Sequence, residues 1–252
     1  MLKQRTFFLP FCLLPFLQAC NSDSSDILDA LNANRAKWEN KQISDYQFES
    51  QLSCFCSQET SDPRLVLVEN NEIISIANMT TKARLQLDEY DTQTISELFH
   101  RIAIEESRAE SLTVSYHPEL GYPTFISVDG DKQIADDEYT ITVNDLIPAD
   151  EVTCAEVEVP GISLSIFDNN EPAACGVTIT VEDKDDNQTV VTTDENCDAS
   201  APVSLLPEQD GYFDITIEKP GYNTVTLNDT GIAKDLCHVI TRDISVTLIP
   251  TE

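Results

Sequence analysis

Six cysteines lie in the body of the chain: Cys54, Cys56, Cys154, Cys175, Cys197 and Cys237. An even number of thiols in an exported protein reads as three disulfides. Zinc held by thiolates is the alternative, but there is no C-x-x-C pair, and His100, His117 and His238 are scattered. Cys54-Phe55-Cys56 is the sharpest chemical candidate. In an ideal strand its two Cα atoms stand about 7 Å apart, the limit for a disulfide, so the backbone must kink for the Cys54–Cys56 bond to form. A ring that small is open to exchange with other thiols, which makes a periplasmic thiol–disulfide oxidoreductase one reading of the chain. A locked bend at a strand end is the other, since no Lys, Arg or His lies beside the pair to lower a thiol pKa. The remaining four cysteines allow three pairings. Cys175–Cys197 would close a short loop between neighbouring strands, and Cys154–Cys237 would tie the approach to a first strand to the last. Each such bond contributes about 2–4 kcal/mol to a small domain.

Oxygen ligands crowd a second place. Asp129, Asp131, Asp136, Asp137 and Glu138 share one loop between strands. Carboxylates at this density could hold calcium, although their spacing is not that of a helix–loop–helix site. A solvated loop that keeps a sheet edge charged is the simpler reading. Glu182-Asp-Lys-Asp-Asp186 reads as a turn. No G-x-S-x-G elbow, P-loop or H-E-x-x-H run occurs, and acid pairs are too plentiful to mark a glycosidase. No catalytic residue and no cofactor other than calcium is therefore expected, and each histidine reads as structural. The sequons at Asn78, Asn187 and Asn228 carry little meaning if the host is bacterial.

The elements that must position these groups follow from periodicity. Ile27, Leu28, Leu31 and Trp38 have helical spacing, with Ser25 or Asp26 to cap the start. Tyr46, Phe48, Ser50 and Leu52 alternate with polar neighbours. Leu65–Val68 and Ile73–Ile76 flank Glu69-Asn-Asn-Glu72 and read as a hairpin. Thr94 and Glu97 form a capping-box pattern before a helix to Arg108, with Ile95, Leu98, Phe99, Ile102 and Ala103 on one face. Strands at Leu112–Tyr116, Thr124–Val128 and Tyr139–Val143 complete an α+β unit at 27–147, an antiparallel sheet with helices on one face. Beyond Ile147-Pro148-Ala149-Asp150 helix patterns stop. Ile162–Phe167, Val177–Asp183, Val190–Thr193, Tyr212–Ile217, Asn223–Leu227 and Ile244–Leu248 predict a small all-β sandwich at 148–252.

The start of the chain is different again. Lys3 and Arg5 precede an apolar run, Phe7–Leu17, that is shorter than the ~20 residues of a membrane span and fits a secretory signal. It ends Leu17-Gln18-Ala19-Cys20, which resembles the lipobox of bacterial lipoproteins. That resemblance implies a signal peptide at 1–19, cleavage before Cys20, a lipid on the Cys20 sulfur and an acylated amino terminus. More than one chain, at about 0.8 kcal/mol per buried methylene, gives stable anchoring. Asn21 after the cysteine favours the outer membrane, facing the periplasm or the cell surface, and residues 20–26 would be a lipidated polar tether. Two of the fifteen basic residues lie in the leader; the other thirteen face 45 acidic ones, a formal charge of −32. Such a field disfavours nucleic acid and anionic lipid headgroups as partners, and attracts cations and basic proteins within a Debye length of about 8 Å.

Residues 38–144 resemble the DUF6174 family. The resemblance rests on Trp38, Tyr46, Cys54-Phe55-Cys56, Leu98-Phe99, Tyr116-His117-Pro-Glu-Leu-Gly-Tyr-Pro123, Ile126, Asp129 and Asp136-Asp-Glu138, and it implies no activity. Val177–Asp183, Gly211–Tyr222 and Cys237-His-Val239 resemble carboxypeptidase regulatory-like or prealbumin-like modules, which implies a non-catalytic β unit that packs against neighbours or binds surface partners. The expectation is a two-part envelope lipoprotein with a binding or structural role, an envelope protein as its partner and the Cys20 lipid as its hold on the membrane. The rivals are thiol exchange at Cys54/Cys56 and calcium-dependent adhesion.

Overall fold

The computed structural model describes residues 24–87, 91–131, 133–134, 136–184 and 187–251. The chain is mostly β, with antiparallel sheets and few helices. Helix α1 (Ser24–Lys41) buries Leu31 and Trp38 and leaves most of its other described residues to solvent. It begins earlier than expected. Ser24 is already helical and Asp26 stands in the first turn, where a carboxylate favours the positive end of the helix dipole. Residues 24–26, expected in the polar tether, are thus helical, and the expected leader, Cys20 and Asn21 lie outside the described residues.

Strands β1 (Tyr46–Cys54), β2 (Arg64–Glu69) and β3 (Glu72–Asn78) follow, with a single helical turn, α2 (Gln58–Ser61), between the first two. The β2–β3 turn places Asn70 and Asn71 at φ 51° and 63°, the left-handed pair that a two-residue hairpin requires. Helix α3 (Ile95–Arg108) starts on a complete capping box between Thr94 and Glu97. A further amide at its start, that of Ile95, donates to the buried Tyr46 hydroxyl at 3.2 Å. Burial, only partly offset by that hydrogen bond, pushes the Tyr46 phenol up to about 12. Strands β4 (Ser111–Tyr116), β5 (Pro123–Asp129) and β6 (Tyr139–Pro148) complete one six-stranded sheet in the order β3-β2-β1-β6-β5-β4. Its inward residues, among them Phe48, Val66, Val68, Ile126 and Val143, share a core with Leu31 and Trp38 of α1 and with Ile95, Leu98, Phe99 and Ile102 of α3.

A short 3₁₀ turn at Ala149–Glu151 leads to the second half. Its strands are β7 (Pro160–Asp168), β8 (Glu171–Pro172), β9 (Thr178–Asp183), β10 (Gln188–Thr192), β11 (Val203–Pro207), β12 (Gly211–Glu218), β13 (Val225–Ile232) and β14 (Arg242–Thr247). They form two sheets, β10-β9-β12-β13 and β11-β7-β14 with β8 on β7. The sheets enclose one core that includes Ile162, Leu164, Ile179, Ile215 and Ile217, an arrangement broadly that of a β-sandwich. Strand β13 starts two residues later than expected because Asn223 is used elsewhere, its N–H donating to the Ile249 carbonyl at 2.8 Å. It also runs on to Ile232. Strand β14 lies parallel to β7, a long-range pairing that no local pattern specifies.

The two cores are stitched together. Ala83 and Arg84 make isolated β-bridges in opposite directions, Arg84 to Ala77 of β3 and Ala83 to Ile232 of β13. The Leu85 N–H donates to Ile76 and the Arg84 N–H to Gly231. Gly231 is required at this crossing, because a Cβ there would stand 2.9 Å from both the Arg84 Cβ and the Arg84 carbonyl oxygen. The Arg84 side chain then bonds Asp210 at 2.6 Å and the Ile74 carbonyl at 2.7 Å. Further along, the Lys234 N–H donates to Ser75 and the Leu236 N–H to Gln47, at 3.1 and 3.0 Å. Leu67, Ser75 and Ala77 are buried.

Candidate functional site

The β1–β6 register decides which distant residues meet. Cys54 pairs with Tyr139 at one end of the sheet, and Tyr46 pairs with Pro148 at the other. On β5, Val128 is opposite Tyr139. The Cys54-Phe55-Cys56 motif and the loop from Asp129 to Glu138 therefore share one end. The aromatic and turn residues at 38, 46, 116–117 and 122 gather elsewhere. There Trp38 meets Tyr46 and Tyr122 edge-on, and the His117 and Tyr122 rings stack with centroids 4.9 Å apart.

Those aromatic and turn residues are occupied in holding the fold. His117 Nδ1 accepts from the backbone N–H groups of Glu119 and Leu120, which locks the β4–β5 turn. Gly121, at φ 82°, lets that turn press against α1, where a Cβ would collide with the Asn34 carbonyl and with Lys37. Burial raises the Tyr116 phenol to about 12. His100 is exposed on α3 beside Arg35 and Glu39. His238 bonds Glu208 at 3.0 Å at the mouth of the sandwich. The three histidines thus serve three separate surroundings.

At the other end, the Cys54–Cys56 disulfide lies just past the last pair of β1, with Cα atoms 5.3 Å apart, so the chain turns sharply there. Phe55 is 81 % exposed. The Cys56 sulfur lies 3.1 Å from the Ser61 hydroxyl. A shallow cleft of about 260 Å³ is lined by Ser53, Cys54, Ser127, Glu138, Tyr139 and Thr140. Glu138 also belongs to the acidic loop. Carboxylate oxygens of Asp129, Asp137 and Glu138 come within 4.8 Å of one another, close enough for one cation. Asp131 and Asp136 are not part of that group. Asp131 caps its own loop by accepting from the Gln133 N–H, and Asp136 is exposed at φ 73°. Asp137 is held in place by the Asp131 N–H on one oxygen, while its other oxygen is buried without a partner.

Behind the cleft lies a buried charge that periodicity alone hides. Glu105 of α3 is 2 % exposed and accepts from the Tyr139 hydroxyl at 2.8 Å and twice from Arg108, at 2.6 and 2.7 Å. Burial acts to raise its pKa, but these hydrogen bonds and the nearby Arg101 charge outweigh it and hold the carboxyl below its usual value. The signal available in the sequence was Arg108 three residues after Glu105 on the apolar side of the helix.

The remaining disulfides, Cys154–Cys237 and Cys175–Cys197, lie in the sandwich. Of the acidic run Glu182–Asp186, Asp185 and Asp186 lie outside the described residues. A larger cleft of about 520 Å³ follows the seam between the two halves. Tyr212 sits there beneath Lys184 (4.4 Å from the ring centroid) and Arg84 (5.8 Å). Arg84 belongs to no motif in the sequence. Its signal was the alternation Ala83-Arg-Leu-Gln-Leu87, which marks a short extended segment with apolar residues on one side.

Residues 30–148, just under half of the chain, match the model of DUF6174, a family of unknown function. No curated protein matches. Among solved structures, the Bacillus anthracis TIE protein is 10 % identical with a TM-score of 0.25; the alignment covers 83 % of this chain and 35 % of that one, so this chain spans about a third of that protein. A C-terminal fragment of the pilus adhesin SpaC from Lactobacillus rhamnosus GG, iodide-soaked, is 9 % identical with a TM-score of 0.23, covering 83 % of this chain and 91 % of the fragment. A second crystal structure of that fragment gives 11 %, 0.21, 87 % and 92 %. Scores this low do not define a common fold. Among the described residues no helix is long and apolar enough to cross a membrane.

Proposed function

We propose that this chain is an exported envelope lipoprotein, anchored through Cys20, whose two joined units present a binding or spacing surface. The observation that carries the reading is that all six cysteines after Cys20 are in disulfides, a state that belongs to an oxidising compartment. The lipobox-like Leu17-Gln18-Ala19-Cys20 supplies the anchor, and Asn21 favours the outer membrane. The N-terminal unit is read as α+β with α1 and α3 on one face of the sheet. The C-terminal unit is read as a carboxypeptidase regulatory-like or prealbumin-like module. The charge of −32 favours a basic envelope protein as partner and argues against nucleic acid. Replacing Cys20 by Ser tests the anchor. The protein is expected to move from the membrane fraction to the soluble fraction of the envelope; a variant that still sediments with membranes contradicts the reading.

A second reading, calcium-dependent adhesion, is favoured by the approach of Asp129, Asp137 and Glu138. Its test is calorimetric titration of calcium into the purified chain. Asp137→Ala is expected to abolish the heat of binding and Asp136→Ala to leave it, whereas equal effects of the two count against a site at these three carboxylates.

A further inference from the structure

We propose that the Cys54–Cys56 disulfide is an exchange site that accepts two electrons from a dithiol of another exported polypeptide. The three disulfides differ in what they do for the fold. A disulfide stabilises mainly by closing a loop in the unfolded chain, and the effect grows with loop length. Cys154–Cys237 spans 83 residues and Cys175–Cys197 spans 22, but Cys54–Cys56 spans two. Strand β1 is already held by a ladder to β2 from Tyr46 to Ser50 and by one to β6 that runs up to the Cys54–Tyr139 pair. The third disulfide can open and close without the fold depending on it.

The surroundings suit exchange. Cys56 is exposed and Cys54 is half-buried, so an incoming thiolate reaches the Cys56 sulfur first. Phe55, 81 % exposed between them, offers an apolar contact to an incompletely folded chain. Ile134, 54 % exposed, lies in the loop that leads into β6 at the same end. The cleft beside Cys54 leaves room for an extended segment.

The exchange balances in two displacements. A partner thiolate attacks the Cys56 sulfur, the bond to Cys54 breaks, and Cys54 departs as a thiolate that takes a proton. The partner's second thiolate then attacks the partner sulfur of the mixed disulfide, and Cys56 departs as a thiolate. The Ser61 hydroxyl, 3.1 Å away, donates to it as the charge forms. The partner loses two electrons and gains a disulfide. Cys54 and Cys56 are reduced to thiols, and a second, disulfide-bearing protein is required to reoxidise them. The proposal goes beyond the anchoring role, and its failure would leave the lipid on Cys20 untouched.

The test uses the purified, fully oxidised mature chain, brief exposure to dilute dithiothreitol, alkylation and peptide mass spectrometry. Cys54 and Cys56 are expected to be labelled at least about tenfold faster than the other four cysteines, with the near-ultraviolet circular dichroism unchanged. Simultaneous opening of all three disulfides, or Cys54–Cys56 opening last, overturns the proposal. Next, Cys54→Ser is offered a small peptide containing one disulfide. It is expected to accumulate a mixed disulfide at Cys56, and Ser61→Ala in that background is expected to raise the pH at which the Cys56 thiolate absorbs. A Cys54→Ser chain that fails to fold, or a Cys56 thiolate indifferent to Ser61, contradicts the argument.

Discussion

The seam between the two units and the open end of the N-terminal sheet use similar residue types to opposite ends. At the seam, Arg84 is mostly enclosed and spends its guanidinium on Asp210 and on the Ile74 carbonyl, over a glycine that has no room for a side chain. At the open end, Phe55 projects into solvent, Cys56 is exposed, and the carboxylates of Asp129, Asp137 and Glu138 crowd together. Polar groups that are paired and enclosed fix geometry, and their loss is felt throughout the fold. An exposed aromatic ring and a disulfide spanning two residues contribute little to stability, so they are free to be used on a partner. The seam joins the two units; the open end is where the proposed exchange would take place.

Substitutions can break that contrast. The largest loss is expected at the crossing point. Gly231→Val forces the Arg84 backbone away from β13 and should destabilise by about 3 kcal/mol or more, read from the midpoint of chemical unfolding. Arg84→Ala should cost about 2–3 kcal/mol, because Asp210 and the Ile74 carbonyl lose a charged donor. Tyr46→Phe leaves the buried Ile95 N–H without its acceptor and should cost about 1–2 kcal/mol. Phe55→Ser should stay within about 0.5 kcal/mol of the parent in the same assay. A Phe55→Ser loss as large as that at Arg84 would erase the distinction between the two regions.

Acid offers a subtler probe of the layer behind the open end. Glu105 is held below its ordinary pKa by Arg108 and Tyr139 despite its burial, so its charged form is favoured in the folded state. Its contribution is fully present above the unfolded carboxylate value near 4.5 and disappears as pH falls through the lower folded value. Thermal unfolding from pH 6 down to pH 3 should show a loss of stability that Glu105→Gln reduces. An unchanged pH slope in that variant would remove Glu105 from the account.

How much of this could be read from the residues follows from how local each interaction is. The α3 face was legible because Ile95, Leu98, Phe99 and Ile102 recur at helical spacing after Thr94 and Glu97. The Glu69-Asn-Asn-Glu72 hairpin was legible because two adjacent asparagines tolerate the left-handed backbone its turn needs. That the cysteines form disulfides followed from their even number and the expectation of export. The seam was not legible. Ala83 and Arg84 find partners at 77 and 232, and nothing in five residues of sequence names the second of these. Strand β11 was hidden for another reason: Pro207 ends it and Leu206 sits at φ 55°, so its periodicity breaks within two residues. At the open end the motifs were visible but their meeting was not, since it depends on Cys54 facing Tyr139 across the β1–β6 ladder.

Mass spectrometry of the protein isolated from its own cells, under conditions that trap free thiols, tests the central claim most directly. The account predicts a chain that begins at a lipid-modified Cys20 and carries no alkylated cysteine at 154, 175, 197 or 237 before reduction. A chain that retains Met1 and the Phe7–Leu17 run, with those four thiols free, would contradict it.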